Sequence, residues 1–440
     1  MSAYEAAGRP WSRLEPGSQA GEASALPGSG GGQEAAALAA SFTGKGREFL
    51  KLCLRAGLLT VITLGLYRFW FLTDVRRFLW RHSRVGADGL EYRGTGRELL
   101  LGFLFALAIL APLYLGYFLL GIEAERYKTY ASTPFFLVLV LFGVYASYRA
   151  RRYRLTRTVF RGARFWMTGS GLVYLALYIG WALLTLVSLG LTYPWMAASL
   201  ERYKMRNTFY GDLQGGFAAS GWSFFKRGIL LWILTVPAGL ALLMWMAMQV
   251  EPGPGGAHDD NSIGQLSLIG GLALLWSPVA LVLVCVMKGI EWRWWVEGLR
   301  FGPAHVTSTL GAWFLFKEYA KYGLAMIAAL TVIGGALAAA FALIGFDDRM
   351  LRGPTPVDLV GLLHLPTMLY VVFALTLVDY LALFIVMGAI YRRFMLFGVW
   401  RKVMASLTLH EAQVFDHVSV KGTPSGVVGE ALADALDFGF

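Results

Sequence analysis

The chain has 440 residues, 57% of them hydrophobic and 15% charged, with a mean hydropathy of +0.55 and a net charge of +11. A soluble domain averages about 45–50% apolar and about 25% charged residues, so the composition excludes an ordinary soluble protein and predicts an integral membrane protein. Nucleic acid, the other reading of a basic chain, is set aside because the Lys and Arg excess lies between and beside the apolar blocks, as the positive-inside rule requires.

In chain order, residues 1–40 are rich in Gly, Ala, Ser and Pro and net acidic. They lack the basic start and apolar core of a signal peptide and read as a disordered tail. A transmembrane helical domain follows over 41–403, with a cytoplasmic tail over 404–440. Six apolar segments, about 99–120, 134–149, 229–250, 264–287, 322–345 and 366–390, read as spanning helices. They pair into three hairpins. The connecting loop at 121–134 is charge-balanced, that at 251–264 holds Glu251, Asp259 and Asp260 and no Lys or Arg, and that at 346–358 is slightly acidic. The other connections are strongly basic: 148–164 carries seven arginines and 75–97 carries six. This asymmetry places the three loops outside and both termini in the cytoplasm.

Two further segments, LLTVITLGLYRFW (58–70) and LLTLVSLGLTYPW (183–195), have basic residues on both sides. A full crossing would carry one basic cluster outward. The expectation is therefore a bent, re-entrant insertion turning at Gly65 and Gly190, where no Cβ restricts the backbone, and shielded by protein. The alternative is a true crossing within inverted repeats of three helices. The fold expected is an all-α polytopic membrane protein. It has six clear transmembrane helices in three hairpins plus two repeated hydrophobic segments, six to eight spans in total, with internal duplication.

The duplication rests on several echoes. At an offset of 125 residues, Trp70 matches Trp195, Arg77 matches Arg202, Arg81 matches Arg206 and Gly86 matches Gly211. FTGKGREFL (42–50) recurs as YRGTGRELL (92–100), and GWSFFK (221–226) as AWFLFK (312–317). Units of about 42–165, 166–290 and a degenerate 291–403 follow. The run LLTVITLGLYRFWFLTDVRRFLWRH followed by GLEYRGTGRELLLGF resembles the YjgN-like family of bacterial inner-membrane proteins, over roughly 40–440. The resemblance implies a multi-pass inner-membrane protein with no established catalytic residues.

Asp379, inside LTLVDYLALFIV, is the sharpest single residue, because a charge in a span costs on the order of 2.5–3.5 kcal/mol. Arg55 and Lys288 are its candidate partners. Arg149, Arg151, Arg152 and Arg154, with Arg47 and Arg97 of the Gly-x-Gly-Arg-Glu-Leu motif, are candidate contacts for anionic lipid headgroups. Glu48 and Glu98 suit the first turn of a helix. The abundant Trp and Tyr beside basic segments read as interfacial anchors. Cys53 and Cys285 sit in apolar stretches and suggest no disulfide framework. His410 and His417 stand seven apart on the tail, more plausibly as solvated residues than as metal ligands. No metal, cofactor or catalytic motif is found. The function expected is transport or channelling of a small solute or lipid, with lipid interaction or scaffolding as the alternative; the partners are membrane lipids and an unknown solute.

Overall fold

The computed structural model describes residues 37–126, 132–248, 260–344, 367–419 and 421. The expected loop at 346–358, most of that at 251–264 and nearly all of the 1–40 tail lie outside these residues, whereas most of the expected loop at 121–134 is helical, within Gly96–Arg126 and Ser132–Thr156.

Ten short strands close into an antiparallel barrel. They are β1 (Leu38–Phe42), β2 (Ser83–Val85), β3 (Asp88–Tyr92), β4 (Thr158–Phe160), β5 (Ala163–Met167), β6 (Thr208–Tyr210), β7 (Leu213–Phe217), β8 (Leu299–Phe301), β9 (Ala304–Ser308) and β10 (Leu407–His410). Each strand pairs with the next in sequence, and β10 returns to β1 with Leu38 opposite Leu409. Four connections are two-residue turns, since Val85 faces Asp88, Phe160 faces Ala163, Tyr210 faces Leu213 and Phe301 faces Ala304. Gly86, Gly211 and Gly302 take positive φ at three of these turns, and Arg161 with Gly162 at the fourth. Turns of this hand match the twist of the strands they join.

The opposite ends of the strands are joined by helices. Phe42 faces Ser83, Tyr92 faces Thr158, Met167 faces Thr208, Phe217 faces Leu299 and Ser308 faces Leu407. All five helical connections therefore leave one rim. The tight turns and both chain ends of the barrel occupy the other.

The helices are α1 (Gly46–Ile62), α2 (Arg68–Arg81), α3 (Gly96–Arg126), α4 (Ser132–Thr156), α5 (Gly171–Val187), α6 (Tyr193–Arg206), α7 (Gly221–Met248), α8 (Asp260–Gly298), α9 (Phe314–Ile344) and α10 (Thr367–Tyr391). A π-helical turn, Arg392–Gly398, carries α10 into α11 (Val399–Ala405). Their main packing runs between neighbours in sequence, and α10 closes on α1; α3 and α4 meet through Ala106, Ala146 and Ala150. A ring of ten helices thus stands on a ring of ten strands.

Two hairpins are short. The chain reverses between α1 and α2, and again between α5 and α6, through Leu64–Gly65 and Leu189–Gly190, all four at positive φ. At the first tip the Gly65 N–H reaches the Thr60 carbonyl at 2.7 Å and the Leu64 N–H reaches Val61 at 3.1 Å. This is the paired closure that ends many helices in a left-handed residue, and the second tip repeats it. Leu64 is 96% exposed and Val187 82%, so the tips are largely exposed, although the Trp232 indole donates to the Leu189 carbonyl at 3.3 Å.

The expected all-α bundle of six to eight spans is wrong. The connecting segments form a closed ten-stranded barrel. Among the described residues three helical stretches are long and apolar enough to cross a membrane: Gly96–Leu119, Phe314–Leu343 and Tyr370–Ala405. The physical reason is length. Strands of three to five residues give almost no two-residue periodicity to read, and they lie inside arginine-rich connections whose charge signals topology.

Candidate functional site

At the turn rim the barrel is filled. A 3-10 helix, Ala412–His417, follows β10 and inserts Ala412 and Phe415 among Phe160, Ala163, Tyr210 and Ala304, with Phe165 and Phe301 packed against them. Phe415 meets Tyr210 edge-on at 5.2 Å. Tyr210 donates its hydroxyl to the Phe160 carbonyl at 2.7 Å, and burial pushes its pKa up to about 12. Arg161 holds the plug in place: its guanidinium reaches Asp88 and Asp416, each at 2.6 Å. The Asp212 carboxylate accepts the Ser419 N–H at 3.1 Å.

Where ring meets barrel lies a belt of carboxylates, each held by cations from its own or a neighbouring helix. Glu98 accepts from the Tyr153 hydroxyl at 2.7 Å and pairs with Arg157 at 3.1 Å. Glu297 pairs with Arg227 at 3.1 Å and Arg293 at 2.7 Å. Glu318, 2% exposed, takes Lys402 at 2.8 Å and Lys321 at 2.9 Å. Glu201 pairs with Lys204 and, at 3.7 Å, with Arg151. Burial alone would raise the Glu201 carboxyl, but Lys204 and Arg151 outweigh it and hold it below the usual carboxylate range. Burial also pushes the Lys204 ammonium below the usual lysine range, against the pull of Glu201. Such pairs fix the angle of the hairpins against the barrel, because unpairing one partner would leave a buried charge.

The sequence-predicted site residues are dispersed. Asp379 is half-buried on α10, and no ion pair joins it to Arg55, which is exposed on α1, or to Lys288, which pairs with Glu291 at 2.6 Å. Arg149, Arg151, Arg152 and Arg154 are all half-buried on α4, and Arg151 is engaged by Glu201. Arg47 and Arg97 stand exposed at the starts of α1 and α3. Gly65 and Gly190 lie at the reversals of the short hairpins. His410 stacks on His305 across β10 and β9 with centroids 4.7 Å apart, while His417 ends the plug. Among the described residues no three His, Cys, Asp or Glu gather as a metal site. Glu201, Glu297 and Glu318 escaped the sequence reading; their one signal is that each is an acid within a predominantly basic connection.

The glycine motif is resolved as packing. In YRGTGREL the first glycine, Gly94, lies under the Tyr92 ring, 2.6 Å from where a Cβ would stand. The second, Gly96, brings α3 against α2, where its Cβ would fall 2.8 Å from the Trp70 Cα. Gly221 repeats this against the Trp195 Cα, also at 2.8 Å.

Residues 37–435 match the model of a family described as bacterial protein of unknown function (DUF898). The chain belongs to this family. Among proteins similar to this DUF898 chain, the inner membrane protein YjgN of Salmonella typhimurium is 35% identical over 68 residues, 16% of this chain and 17% of that protein. The inner membrane protein YjgN of Escherichia coli is 25% identical over 124 residues, 28% of this chain and 29% of that protein. The aligned region thus spans less than a third of either relative. No solved structure matches the chain.

Proposed function

We propose that this chain is an inner-membrane protein that binds lipid, its ring of helical hairpins embedded in the bilayer and its barrel standing at the cytoplasmic surface. The relatives' names supply the membrane. The Lys and Arg bias supports the orientation, because the basic connections belong to the barrel side, where β1 begins and β10 ends. The recurrence of the Gly96–Trp70 contact as Gly221–Trp195 supports internal duplication as the origin of the ring.

The observation that carries lipid binding is the arms of the ring. The most apolar stretches of α9 and of the α10 span contain no buried residue, although each helix packs on its ring neighbours. The rest of each arm is apolar and half-buried to exposed. Beyond Lys321 α9 has no charged residue, and α10 has only Asp379. A helix without a polar face belongs in lipid. Ten helices spaced about 9 Å apart in a circle would leave a lumen roughly 15–18 Å wide, and these walls suit acyl chains rather than water. Passage of a water-soluble solute has less support, since the barrel below is filled by the aromatic plug.

The test is lipid retention. Protein purified in mild detergent and weighed by native mass spectrometry is expected to keep several phospholipids through extensive washing. A protein stripped bare at the first wash, with cysteines on α9 reached by a membrane-impermeant reagent, would instead mark a water-filled ring.

A further inference from the structure

The arginines of α4 that looked suited to headgroups are half-buried, and Arg151 is engaged by Glu201. A better-built place lies at the start of α9. Residues Thr309–Phe314 and the end of α11 border a cavity of about 490 Å³, lined in part by Thr309, Trp313, Lys317, Lys402 and Ser406. Lys402 and Lys321 share the single buried carboxylate of Glu318. The Lys317 side chain is exposed, and among the described residues its ammonium has no hydrogen-bond or ion-pair partner. Three lysines against one carboxylate leave a surplus of two positive charges beside the cavity. Trp313, 53% exposed, stands at its edge, and α9 continues from it as an apolar arm exposing Leu324 and Ile327.

The related GWSFFK segment on α7 shows what is particular here. There Lys226 lies over the Trp222 ring at 5.5 Å, and the neighbouring Arg227 is held by Glu297. The α7 cations are engaged, whereas the lysine at the equivalent place on α9 is free.

We propose that the cavity at the start of α9 binds the phosphate of an anionic phospholipid. Lys317 supplies the direct charge, Lys402 remains on Glu318 as a second cation in the wall, and the Thr309 hydroxyl faces the headgroup. The acyl chains run along α9, with Trp313 at the level where an indole favours the membrane interface. This assignment rests on the lipid-binding reading and adds a defined headgroup site to it.

The experiment titrates the full chain in detergent with dioleoylphosphatidylglycerol, with dioleoylphosphatidylcholine, and with inorganic phosphate as competitor, counting bound lipid by native mass spectrometry. The wild type is expected to prefer the glycerol lipid. Lys317→Gln should weaken that lipid about fivefold, the worth of one basic residue near a charged surface, while Lys317→Arg and Lys226→Gln keep it. Equal affinity for Lys317→Gln and wild type overturns the proposal, as does displacement of the lipid by millimolar phosphate, which marks a free-phosphate site. Total co-purified lipid is read in the same spectra. If it stays high while the preference is insensitive to Lys317, the headgroup site fails alone; if it vanishes in every protein, the lipid-binding reading fails.

Discussion

Glycine and arginine set the geometry at the level of single residues. Gly96 and Gly221 exist so that the start of one helix can touch the backbone of the helix before it. A methyl group at either would lie 2.8 Å from a tryptophan Cα, which backbone cannot yield cheaply. Gly96→Ala and Gly221→Ala are therefore each expected to destabilise by about 1–3 kcal/mol, the usual cost of overpacking, read as a lower midpoint for thermal aggregation in detergent. Gly116, with nothing within 4 Å of where a Cβ would stand, is the control. Arg161 is a second test. Its contacts to Asp88 and Asp416 tie the plug to the β2–β3 turn, so Arg161→Ala should speed proteolysis after His410 while leaving the helices intact. The aromatic-Gly-Gly-Arg-Glu-Leu motif could be read from the sequence as a helix start with Glu98 in its first turn. What could not be read is the partner of Glu98: Tyr153 and Arg157 lie more than fifty residues away and are delivered by the barrel register.

The helical hairpin is the unit that repeats at the next scale, and its two lengths set different reaches. At about 1.5 Å per residue, the 17-residue α1 rises roughly 25 Å and turns back inside the hydrocarbon if the barrel rim sits at the interface. Leu64→Arg is expected to cost less than the about 2.5–3.5 kcal/mol of a charge at mid-bilayer, because a tip at that depth lies near the far interface, and to bring the tip within reach of a membrane-impermeant guanidine reagent. An unchanged melting point would place the tip in water. The Glu201–Lys204–Arg151 cluster fastens the other short hairpin, and its pH dependence has a definite sign. The folded carboxyl titrates lower than the unfolded one, so its contribution is present above the ordinary carboxylate range, near pH 4, and is lost as pH falls through the folded value. Stability should decline below about pH 4.5, and Glu201→Gln should lower it at neutral pH while flattening that acid limb. The helical arms were legible because twenty apolar residues are a strong signal. The strands were not, because TVF, TFY and LRF are too short to show a period. The pattern that betrays them is a glycine turn between two short strands with apolar residues, as in TVFRGARF, TFYGDLQG and LRFGPAHV, found after four of the five helical connections.

At the scale of the whole molecule, a closed strand ring and a closed helix ring share one axis of connectivity, and membership of the family was legible where this architecture was not. Motif residues are local, whereas closure of a barrel is a property of pairings between strands up to several hundred residues apart. That closure bears on how the protein is made. The first strand, Leu38–Phe42, finds its last partner only when Leu407–His410 has been translated. Synthesis proceeds from the N-terminus, so for almost the whole of it the nascent chain presents a growing sheet with an unpaired edge at each end, the feature that invites intermolecular pairing. In the proposed membrane arrangement the hairpins inserted between successive strands would keep that sheet tethered at the bilayer and dilute it against its neighbours in the meantime. A chain stopped at Ser406 is expected to insert and then aggregate through β1 and β9, visible as sodium-carbonate-resistant but detergent-insoluble protein; recovery of a monodisperse peak from that truncation would show that the tenth strand is dispensable. The strand that closes the wall is followed at once by the Ala412–His417 plug, so closure of the barrel and stoppering of its lumen fall to one short stretch of chain.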